Sequence, residues 1–363
     1  MKKIISVVGA RPNFMKIAPV HLEFLKYKDR VQHLICHTGQ HYDEKMSKIF
    51  FQELNISEPD FNLNVGSGSH AVQTANIMLE FEKVLLAEKP NLVIVVGDVN
   101  STIACSLVSK KLNIPVAHIE AGLRSFDRTM PEEINRVLTD SISDYLFVTE
   151  QSGIDNLKNE GIDGARIFFA GNVMIDSLVQ NMNKIDSSSV LSSLDLKRNN
   201  YVLCTLHRPS NVDNRFSLKQ ILETLKSLAE KKKIVFPVHP RTRSNMEEFG
   251  IGLNASSNLL FTDPIGYIDF LSLIKNASLV ITDSGGIQEE TTYLGVPCVT
   301  LRDNTERPVT VSIGSNHLAG TNVSKMAAIV TDILNGNVKK SSVPLLWDGK
   351  AAQRISRAIM NII

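Results

Sequence analysis

An apolar run passes directly into a glycine turn and a helical pattern in the stretch Leu279-Val280-Ile281-Thr282-Asp283-Ser284-Gly285-Gly286-Ile287-Gln288-Glu289-Glu290. The β-branched residues predict a strand, and the Ser-Gly-Gly turn predicts the start of a helix. Free N–H groups at such a helix start form an anion site, and the glycines let a phosphate approach the backbone. Glu290 lies far enough into the helix to accept hydrogen bonds from the sugar hydroxyls of a nucleotide. The alternative is a strand-to-helix turn whose glycines serve packing alone, and this run leaves both interpretations open.

The same alternation of strand and helix patterns extends along almost the whole chain. Continuous apolar strands separated by helices predict parallel sheets covered on both faces. Strands are predicted at Lys3–Val8, Val31–His37, Leu92–Val96, Val116–Ile119, Tyr145–Thr149, Arg166–Phe169, Tyr201–Leu206, Ile234–Val238, Leu259–Phe261, Leu279–Thr282 and Pro297–Leu301. Helices are predicted near 15–28, 44–54, 70–88, 101–112, 132–142, 151–160, 215–231, 267–275, 286–294 and 351–363.

The chain length of 363 residues predicts two domains. The pattern lapses at 184–200, which is rich in Ser, Asp, Lys and Asn, so a linker region is predicted at 176–200. It separates an N-terminal α/β domain, 1–175, from a C-terminal α/β domain, 201–350. A last helix, 351–363, is expected to pack back on the N-terminal domain. Two doubly wound domains in tandem predict a ligand cleft at the carboxyl ends of their strands.

The composition is that of an ordinary globular protein, with 43% hydrophobic and 21% charged residues. The net charge of +1 gives no overall attraction to nucleic acid or membrane, so neither partner is expected. The cysteines form no Cys-x-x-Cys pair, which favours small core residues in a reducing compartment. Because no signal peptide or membrane span is recognisable, a cytoplasmic protein is expected.

Two basic residues follow the first predicted strand, in the run Gly9-Ala10-Arg11-Pro12-Asn13-Phe14-Met15-Lys16. The run is neither a dinucleotide fingerprint nor a Walker A loop. Arg11 and Lys16 lie at a loop-to-helix junction, where cations are unfavourable unless an anion is present. They are therefore candidate binders of phosphate or carboxylate, and the alternative is that they are simply solvated.

Carboxylates follow successive strands at Asp98 and Glu120, and Glu132 and Glu133 open the next helix behind Pro131. Helix capping accounts well for the last two, because acids in a first turn favour the dipole. It accounts poorly for Glu120. Carboxylates that converge on one cleft separate their pKa values, which lets one site hold an acid and a base.

Histidines end two strands of the second half, in His207-Arg208-Pro209 and His239-Pro240-Arg241. Such a histidine is often structural, but two histidines at equivalent positions, each near an arginine, indicate that they line the predicted ligand cleft. No metal-ligand spacing links them, so no metal is expected. A departing diphosphate would then be stabilised by protein cations, for which Arg302 and Arg307 are candidates.

Taken together these motifs resemble the UDP-N-acetylglucosamine 2-epimerase family. The matching pieces span most of the chain: Val8–Lys16, Thr38–Asp43, Gly97-Asp98, His118–Arg124, Pro131–Arg136, His207-Arg208, Asp283–Glu290 and Arg302–Pro308. The resemblance implies the GT-B fold, two Rossmann-like domains facing each other across a cleft, with the nucleotide mainly on the C-terminal domain. It also implies a homodimer that binds a UDP-sugar, needs no cofactor and serves the synthesis of cell-surface polysaccharide.

The resemblance implies reversible C2 epimerisation of UDP-GlcNAc to UDP-ManNAc, by elimination of UDP through 2-acetamidoglucal and its re-addition. It assigns acid and base roles to Asp98, Glu120 and Glu132. Arg136 and His207 then support the sugar and the departing diphosphate. The other implied substrate-binding positions are Arg11, Lys16, His239, Phe270 (beside the uracil), Ser284, Gly285, Gly286, Glu290 and Arg307.

The chain departs from the family pattern at two places. It has His207-Arg208-Pro209-Ser210-Asn211 where relatives commonly show His-Arg-Arg-Glu-Asn, and Ile265 where they often carry Gln near the uracil. Because of both departures, the identity of the sugar is left undecided. So is the presence of an allosteric UDP-GlcNAc pocket, which here would involve Gln40, Arg208 and His239. The alternatives are a hydrolysing 2-epimerase that releases ManNAc, an epimerase for a related UDP-N-acetyl sugar, a GT-B glycosyltransferase and a non-catalytic nucleotide-sugar sensor.

Overall fold

The computed structural model describes residues 1–39, 56–252 and 258–363. The chain forms two compact units. Unit 1 comprises residues 1–180 together with 345–363, and unit 2 is the intervening segment 181–344. The chain therefore leaves unit 1 once, builds unit 2 and returns to complete unit 1.

Unit 1 is a seven-stranded sheet with helices between its strands. The strands are β1 (Lys2–Val8), β2 (Val31–His37), β3 (Phe61–Asn62), β4 (Leu92–Val96), β5 (Val116–Ala121), β6 (Tyr145–Val148) and β7 (Ile167–Phe169). The described helices are α1 (Arg11–Leu25), α2 (His70–Glu88), α3 (Asn100–Lys111), α4 (Pro131–Ile142), α5 (Gln151–Asn159) and α6 (Val173–Gln180), with a short 3-10 helix at Gly164–Arg166. The last helix of the chain, named α16 below, also belongs to this unit.

Unit 2 is a six-stranded sheet of the same kind. Its strands are β8 (Tyr201–Thr205), β9 (Lys233–Pro237), β10 (Leu259–Thr262), β11 (Leu279–Thr282), β12 (Cys298–Thr300) and β13 (Asn316–Leu318). Its described helices are α7 (Met182–Asp186), α8 (Val190–Ser193), α9 (Pro209–Val212), α10 (Arg215–Ala229), α11 (Pro240–Glu248), α12 (Tyr267–Asn276), α13 (Gly285–Leu294), α14 (Pro308–Ser312) and α15 (Val323–Leu334). Helix α16 (Ala351–Ile362) then ends the chain.

All strand pairs in both sheets are parallel. The orders are β3-β2-β1-β4-β5-β6-β7 and β10-β9-β8-β11-β12-β13. In each sheet the order reverses between the first and fourth strands, β1 and β4 or β8 and β11. Ligands of doubly wound sheets bind outside the carboxyl ends of strands at such a switch point.

Each unit has its own hydrophobic core. In unit 2 the apolar strand residues pack against Leu218, Ile221, Leu222 and Leu225, which recur at helical spacing along α10. In unit 1 the corresponding core joins β1, β2 and β4 to α2 and α3. The four cysteines are free and buried, as the sequence predicts for core residues. Every helix in the described part of the chain is too short or too polar to serve as a membrane span.

The predicted linker contains helical structure. Residues 176–200 include the end of α6 and the short helices α7 and α8, and the division between the units falls after Gln180. Local Ser and Asn content hides these helices because their apolar residues are few. The predicted helix at 44–54 lies outside the described residues.

Candidate active site

In unit 1 the loop after β1 is tied to the end of β4 by one buried side chain. The Oδ1 of Asn13 accepts from the N–H groups of Gly9 and Ala10 at 3.1 and 2.9 Å. Its Nδ2 donates to the carbonyl of Val96 at 3.1 Å. The two strands at the switch point therefore present their loops together. Gly97 follows with φ +70°, and a Cβ there would lie 3.3 Å from the Nζ of Lys16.

Asp98 lies at the end of β4 and is held by helix α4. Arg136 donates from Nη2 to the Oδ2 of Asp98 at 2.5 Å. The Nδ2 of Asn135 donates to the main-chain carbonyl of Asp98 at 2.9 Å. An arginine this close favours the carboxylate form of Asp98. The arrangement fixes a partly exposed carboxyl group at the carboxyl end of the central strand of the sheet.

Glu120 forms a buried ion pair with Lys16. Only 5% of Glu120 and 7% of Lys16 are exposed, and the Lys16 Nζ contacts the Oε2 of Glu120. The β5–β6 register shifts between Ile119 and Ala121, and Glu120 has φ +73° in this bulge. Left-handed backbone is costly for a residue other than glycine and concentrates at functional sites. Lys16, expected beside a phosphate, thus contacts a carboxylate of unit 1.

The two acids that open α4 have different surroundings. Glu133 is buried and accepts hydrogen bonds from the main-chain N–H groups of Ser125 and Phe126 and from Arg136, each at 2.9 Å. It therefore shapes the loop before the helix. Glu132 is partly buried, and its carboxylate has no hydrogen bond or ion pair to another described residue. Of the two, Glu132 is the carboxyl group left available for a proton transfer.

In unit 2 the corresponding switch point is organised by Asp283, which follows β11. This fully buried carboxylate accepts from the main-chain N–H groups of His207 and Arg208 and from the Nδ2 of Asn211, at 2.9–3.1 Å. The Nδ1 of His207 lies 3.1 Å from its Oδ1. Burial alone would raise the pKa of Asp283, but His207, Asn211 and Arg208 hold it below its ordinary value. Asp283 thus remains charged and orients the ring of His207.

The glycine turn starts helix α13, as the sequence predicts. Ser284 is the residue before the helix, in extended backbone, and Gly285 is the first helical residue. A Cβ at Gly285 would lie 2.7 Å from the Nη1 of Arg307 and 2.9 Å from the Oε1 of Glu306. The first N–H groups of a helix have no acceptor within it, so this turn offers donors to an anion.

Charged side chains are buried beneath this turn. Arg307, 5% exposed, contacts the Oε1 of Glu289 at 2.7 Å and the Oε1 of Glu306 at 2.5 Å. Arg302 contacts the other Glu306 oxygen at 2.7 Å. Burial, reinforced by the charge of Glu289, raises the pKa of Glu290 to about 8. Glu290 is therefore largely protonated at neutral pH and presents an O–H donor as well as an acceptor.

The remaining predicted positions are distributed as follows. The rings of His239 and His207 lie 5.2 Å apart, and the Nδ1 of His239 accepts from the N–H of Arg241. Burial and the neighbouring His207 lower the pKa of His239. Phe270 is a partly buried residue of α12. Arg11 begins α1, but its side chain, like the whole of Gln40, lies outside the described part of the structure.

Sequence reasoning missed the organising roles of Asp283, Asn211 and Asn13. Asp283 stood directly after a strand end, which was a usable signal. Asn211 gave none, because its partners Asp283 and Leu301 lie far away in sequence, directly after β11 and β12. As for metals, no group of three or more His, Cys, Asp or Glu that could hold an ion occurs within 1–39, 56–252 and 258–363.

Two parallel sheets of Rossmann order, each with polar side chains at its switch point, define a GT-B protein. The sequence model of the UDP-N-acetylglucosamine 2-epimerase family matches residues 23–360. The UDP-N-acetylglucosamine 2-epimerase of Methanocaldococcus jannaschii is 46% identical to this chain over 364 residues, 98% of each. The chain belongs to the UDP-N-acetylglucosamine 2-epimerase family.

Relatives differ in the sugar named for them. A Pseudomonas aeruginosa UDP-2,3-diacetamido-2,3-dideoxy-D-glucuronate 2-epimerase is 40% identical over 99% of this chain and 100% of that one. The crystal structure of the M. jannaschii UDP-GlcNAc 2-epimerase in complex with UDP-GlcNAc and UDP matches with a TM-score of 0.91, covering 99% of this chain and 100% of that one at 46% identity. The UDP-GlcNAc 2-epimerase from Neisseria meningitidis bound to UDP-GlcNAc matches with a TM-score of 0.90, covering 99% and 100% at 30% identity.

Proposed function

We propose that this protein catalyses the reversible C2 epimerisation of UDP-GlcNAc to UDP-ManNAc without net hydrolysis. The observation that carries the proposal is the fixed carboxylate of Asp98, flanked by the Lys16–Glu120 pair in unit 1. Family membership and the names of the relatives support the nucleotide sugar as substrate. The proposal requires no redox step.

In the proposed reaction one carboxylate removes the proton from C2 as the bond from C1 to the diphosphate oxygen breaks. The electron pair forms the C1–C2 double bond of 2-acetamidoglucal, and UDP carries away the pair from C1. A carboxyl group then returns a proton to the other face of C2 while UDP attacks C1. Asp98, Glu120 and Glu132 are the candidate acid and base groups, and such proton transfers contribute about 10²–10⁴-fold in rate.

The UDP part is assigned to unit 2. The turn Ser284-Gly285-Gly286 offers main-chain donors to phosphate, and Arg307 supports it from below. His207 and His239 are assigned to the sugar diphosphate, Glu290 to the ribose and Phe270 to the uracil. Arg136 is assigned to the sugar, and Arg11 and Lys16 remain predicted nucleotide-binding positions.

The proposal is tested by a proton NMR time course of the purified protein with UDP-GlcNAc in D₂O. UDP-ManNAc carrying deuterium at C2, without free sugar, is the expected result. Free ManNAc with UDP would instead make the protein a hydrolysing 2-epimerase. An absence of any turnover would overturn the proposal.

A related sugar is the second candidate, because the P. aeruginosa relative is 40% identical over nearly the whole chain. The same time course with UDP-2,3-diacetamido-2,3-dideoxy-D-glucuronate measures the turnover of this sugar nucleotide. A kcat/KM higher than that for UDP-GlcNAc would move the assignment to the acidic sugar. The predicted effector pocket at Gln40, Arg208 and His239 is tested in parallel, by whether turnover of UDP-ManNAc requires added UDP-GlcNAc.

We also propose that the protein is a homodimer. Val72, Leu79 and Leu86 are exposed at seven-residue intervals on α2, and Ile134 and Leu138 are exposed on α4. A regular apolar stripe of this kind suits a helical partner, and a second copy offers the same stripe.

Light scattering after size exclusion tests the dimer. The natural protein is expected at twice the chain mass and Leu79→Glu at the chain mass. Phe216→Glu, which alters an exposed apolar residue of unit 2, is the matched control and should stay dimeric. A monomeric natural protein would contradict the proposal.

A further inference from the structure

A chain of alternating charges runs from the surface of unit 1 to the end of β4. Glu160 accepts from the Nε and Nη2 of Arg124 at 2.7 and 2.6 Å. Arg124 donates from Nη1 to the Oδ2 of Asp140 at 2.7 Å, and the Oδ1 of Asp140 lies 2.7 Å from the Nδ1 of His118. The Nε2 of His118 lies 2.8 Å from the carbonyl oxygen of Gly97. His118 and Asp140 are fully buried.

The partners of His118 determine its charge. A carbonyl oxygen can only accept, so the Nε2 carries a proton. The other ring nitrogen faces Asp140, which also accepts from the N–H of Gly122 at 3.0 Å. Burial alone would raise the pKa of Asp140, but His118 and Arg124 lower it, so Asp140 is a carboxylate. His118 thus lies between a carboxylate and a carbonyl, both of which accept, and this arrangement suits a proton on each ring nitrogen.

His118 holds the peptide group directly before Asp98. The Gly97 carbonyl accepts from His118, and the Gly97 N–H donates to the carbonyl of Ile119 at 3.1 Å. After Asp98, its own carbonyl accepts from Asn135. The main chain is thus fixed on both sides of Asp98. Charge-assisted hydrogen bonds are about twice as strong as neutral ones.

We propose that Asp140 keeps His118 cationic and that this pair is a positioning device for Asp98 in the epimerisation. This inference rests on the proposed function. Packing alone does not require the charge, because a buried ion pair is often no more stabilising than well-packed neutral groups. A charged donor does hold the strand-end turn more tightly than a neutral one. A small displacement of a reacting group lowers the rate strongly, so the device would act on turnover.

The variant Asp140→Asn separates the charge from the hydrogen bonds. The Oδ1 of an asparagine can accept from Arg124 and Gly122, while its Nδ2 donates to an unprotonated Nδ1 of His118. His118 then becomes neutral but still donates from Nε2 to Gly97. Asp144→Asn is the matched control. Asp144 lies directly before β6 and accepts hydrogen bonds from Lys110 and from the N–H of Val116.

We expect nitrogen NMR at neutral pH to show both ring nitrogens of His118 protonated in the natural protein and only Nε2 protonated in Asp140→Asn. In the same variant kcat should fall about tenfold, the equivalent of replacing a charge-assisted hydrogen bond by a neutral one, with KM within about twofold. Asp144→Asn should keep both ring protons and the natural kcat. His118→Gln, which keeps a donor but no charge, should resemble Asp140→Asn in kcat.

A neutral His118 in the natural protein would overturn the proposal, as would Asp140→Asn with a neutral His118 and natural kcat. If Asp140→Asn does not fold, His118→Gln decides the matter by the same kcat criterion. A natural protein without turnover on UDP-GlcNAc would overturn the proposed function and the positioning role with it. The ring nitrogens would still report the charge of His118, so the two failures are distinguishable.

Discussion

Asp98 is the residue on which the proposed chemistry depends most directly. Asp98→Asn keeps the size of the side chain and can still accept a hydrogen bond from Arg136. We expect an unchanged melting temperature and a kcat lower by about 10²–10⁴-fold, because the base is lost. Deuterium incorporation at C2 measures the loss directly. Near-natural exchange in this variant would remove Asp98 from the mechanism.

Glu290 makes the stability of the fold depend on pH. Because burial and Glu289 raise its pKa from the ordinary 4.5 to about 8, the folded chain binds this proton more tightly than the unfolded chain. The stabilisation of the fold that comes from binding this proton is therefore fully present below about pH 4.5, and it is lost as the pH rises towards and through about 8. Glu290→Gln should remove this decline. Urea unfolding between about pH 4.5 and 8 measures this decline in the free energy of unfolding. The same pH dependence in the natural protein and in Glu290→Gln would contradict the prediction.

Some properties of site residues could be predicted from the sequence, and others could not. Asp98, Glu120 and His207 were recognisable because each falls at the end of an apolar run. The left-handed backbone of Glu120 was not, because the bulge depends on pairing with β6. Likewise the sequence indicated Arg307 as a cation for phosphate, but not its contacts with Glu289 and Glu306. Glu289 comes from a different element, and such contacts have no local signature.

At the scale of an element, the start of α13 depends on the absence of a side chain at Gly285. Gly285→Ala should push against Arg307 and Glu306, which are 2.7 and 2.9 Å from the new atom. We expect a loss of about 1–3 kcal/mol in the free energy of unfolding, together with weaker UDP binding. Calorimetric titration with UDP measures the second effect.

Gly164→Ala is the control for that variant, since a Cβ at Gly164 has nothing within 4 Å. It should leave both UDP affinity and stability close to natural. Equal UDP affinity in both alanine variants would show that the helix start tolerates the side chain, and the phosphate assignment would then lose its support.

Helix α16 is held by a carboxylate from elsewhere in the chain. Asp176 on α6 accepts from the N–H groups of Ala351 and Ala352 at 3.1 and 2.7 Å, which are the first two of the helix. Asp176→Ala should cost about 0.5–2 kcal/mol, the usual cost of losing a helix cap. Asp163→Ala is the control, because Asp163 caps only the short 3-10 helix at the surface. Urea unfolding measures both, and an equal loss in the two would contradict the long-range cap.

Most strands and the longer helices were predictable because their apolar periodicity is sustained. The very short β3 and the polar β13 were not, because two or three residues carry no period. Helix α15 was overlooked despite its apolar residues at helical spacing, Met326, Val330 and Ile333. The switch points themselves followed from the order of the elements, which is why candidate site residues could be proposed from strand ends before their contacts were known.

For the whole molecule, unit 1 is built from two separate segments of the chain and unit 2 from one. The two units should therefore differ in whether they fold when made as single fragments. Unit 2 is continuous and has its own core, so the fragment 181–344 should fold alone and bind UDP. The fragment 1–180 lacks α16, which packs on α1 and α6, and the buried Trp347, whose Nε1 donates to Thr149. It should be largely unfolded. Circular dichroism and UDP titration of both fragments check this, and a cooperatively folded 1–180 would contradict it.

The late return of the chain to unit 1 also orders events during synthesis on the ribosome. The first unit to be translated is the last to be completed, because Asp176 and Thr149 wait for partners that follow unit 2 in the chain. A nascent chain that stops early can complete unit 2 but leaves the surface of α1 that α16 covers open to proteases and chaperones. Translation through residues 345–363 is thus a condition for a finished unit 1.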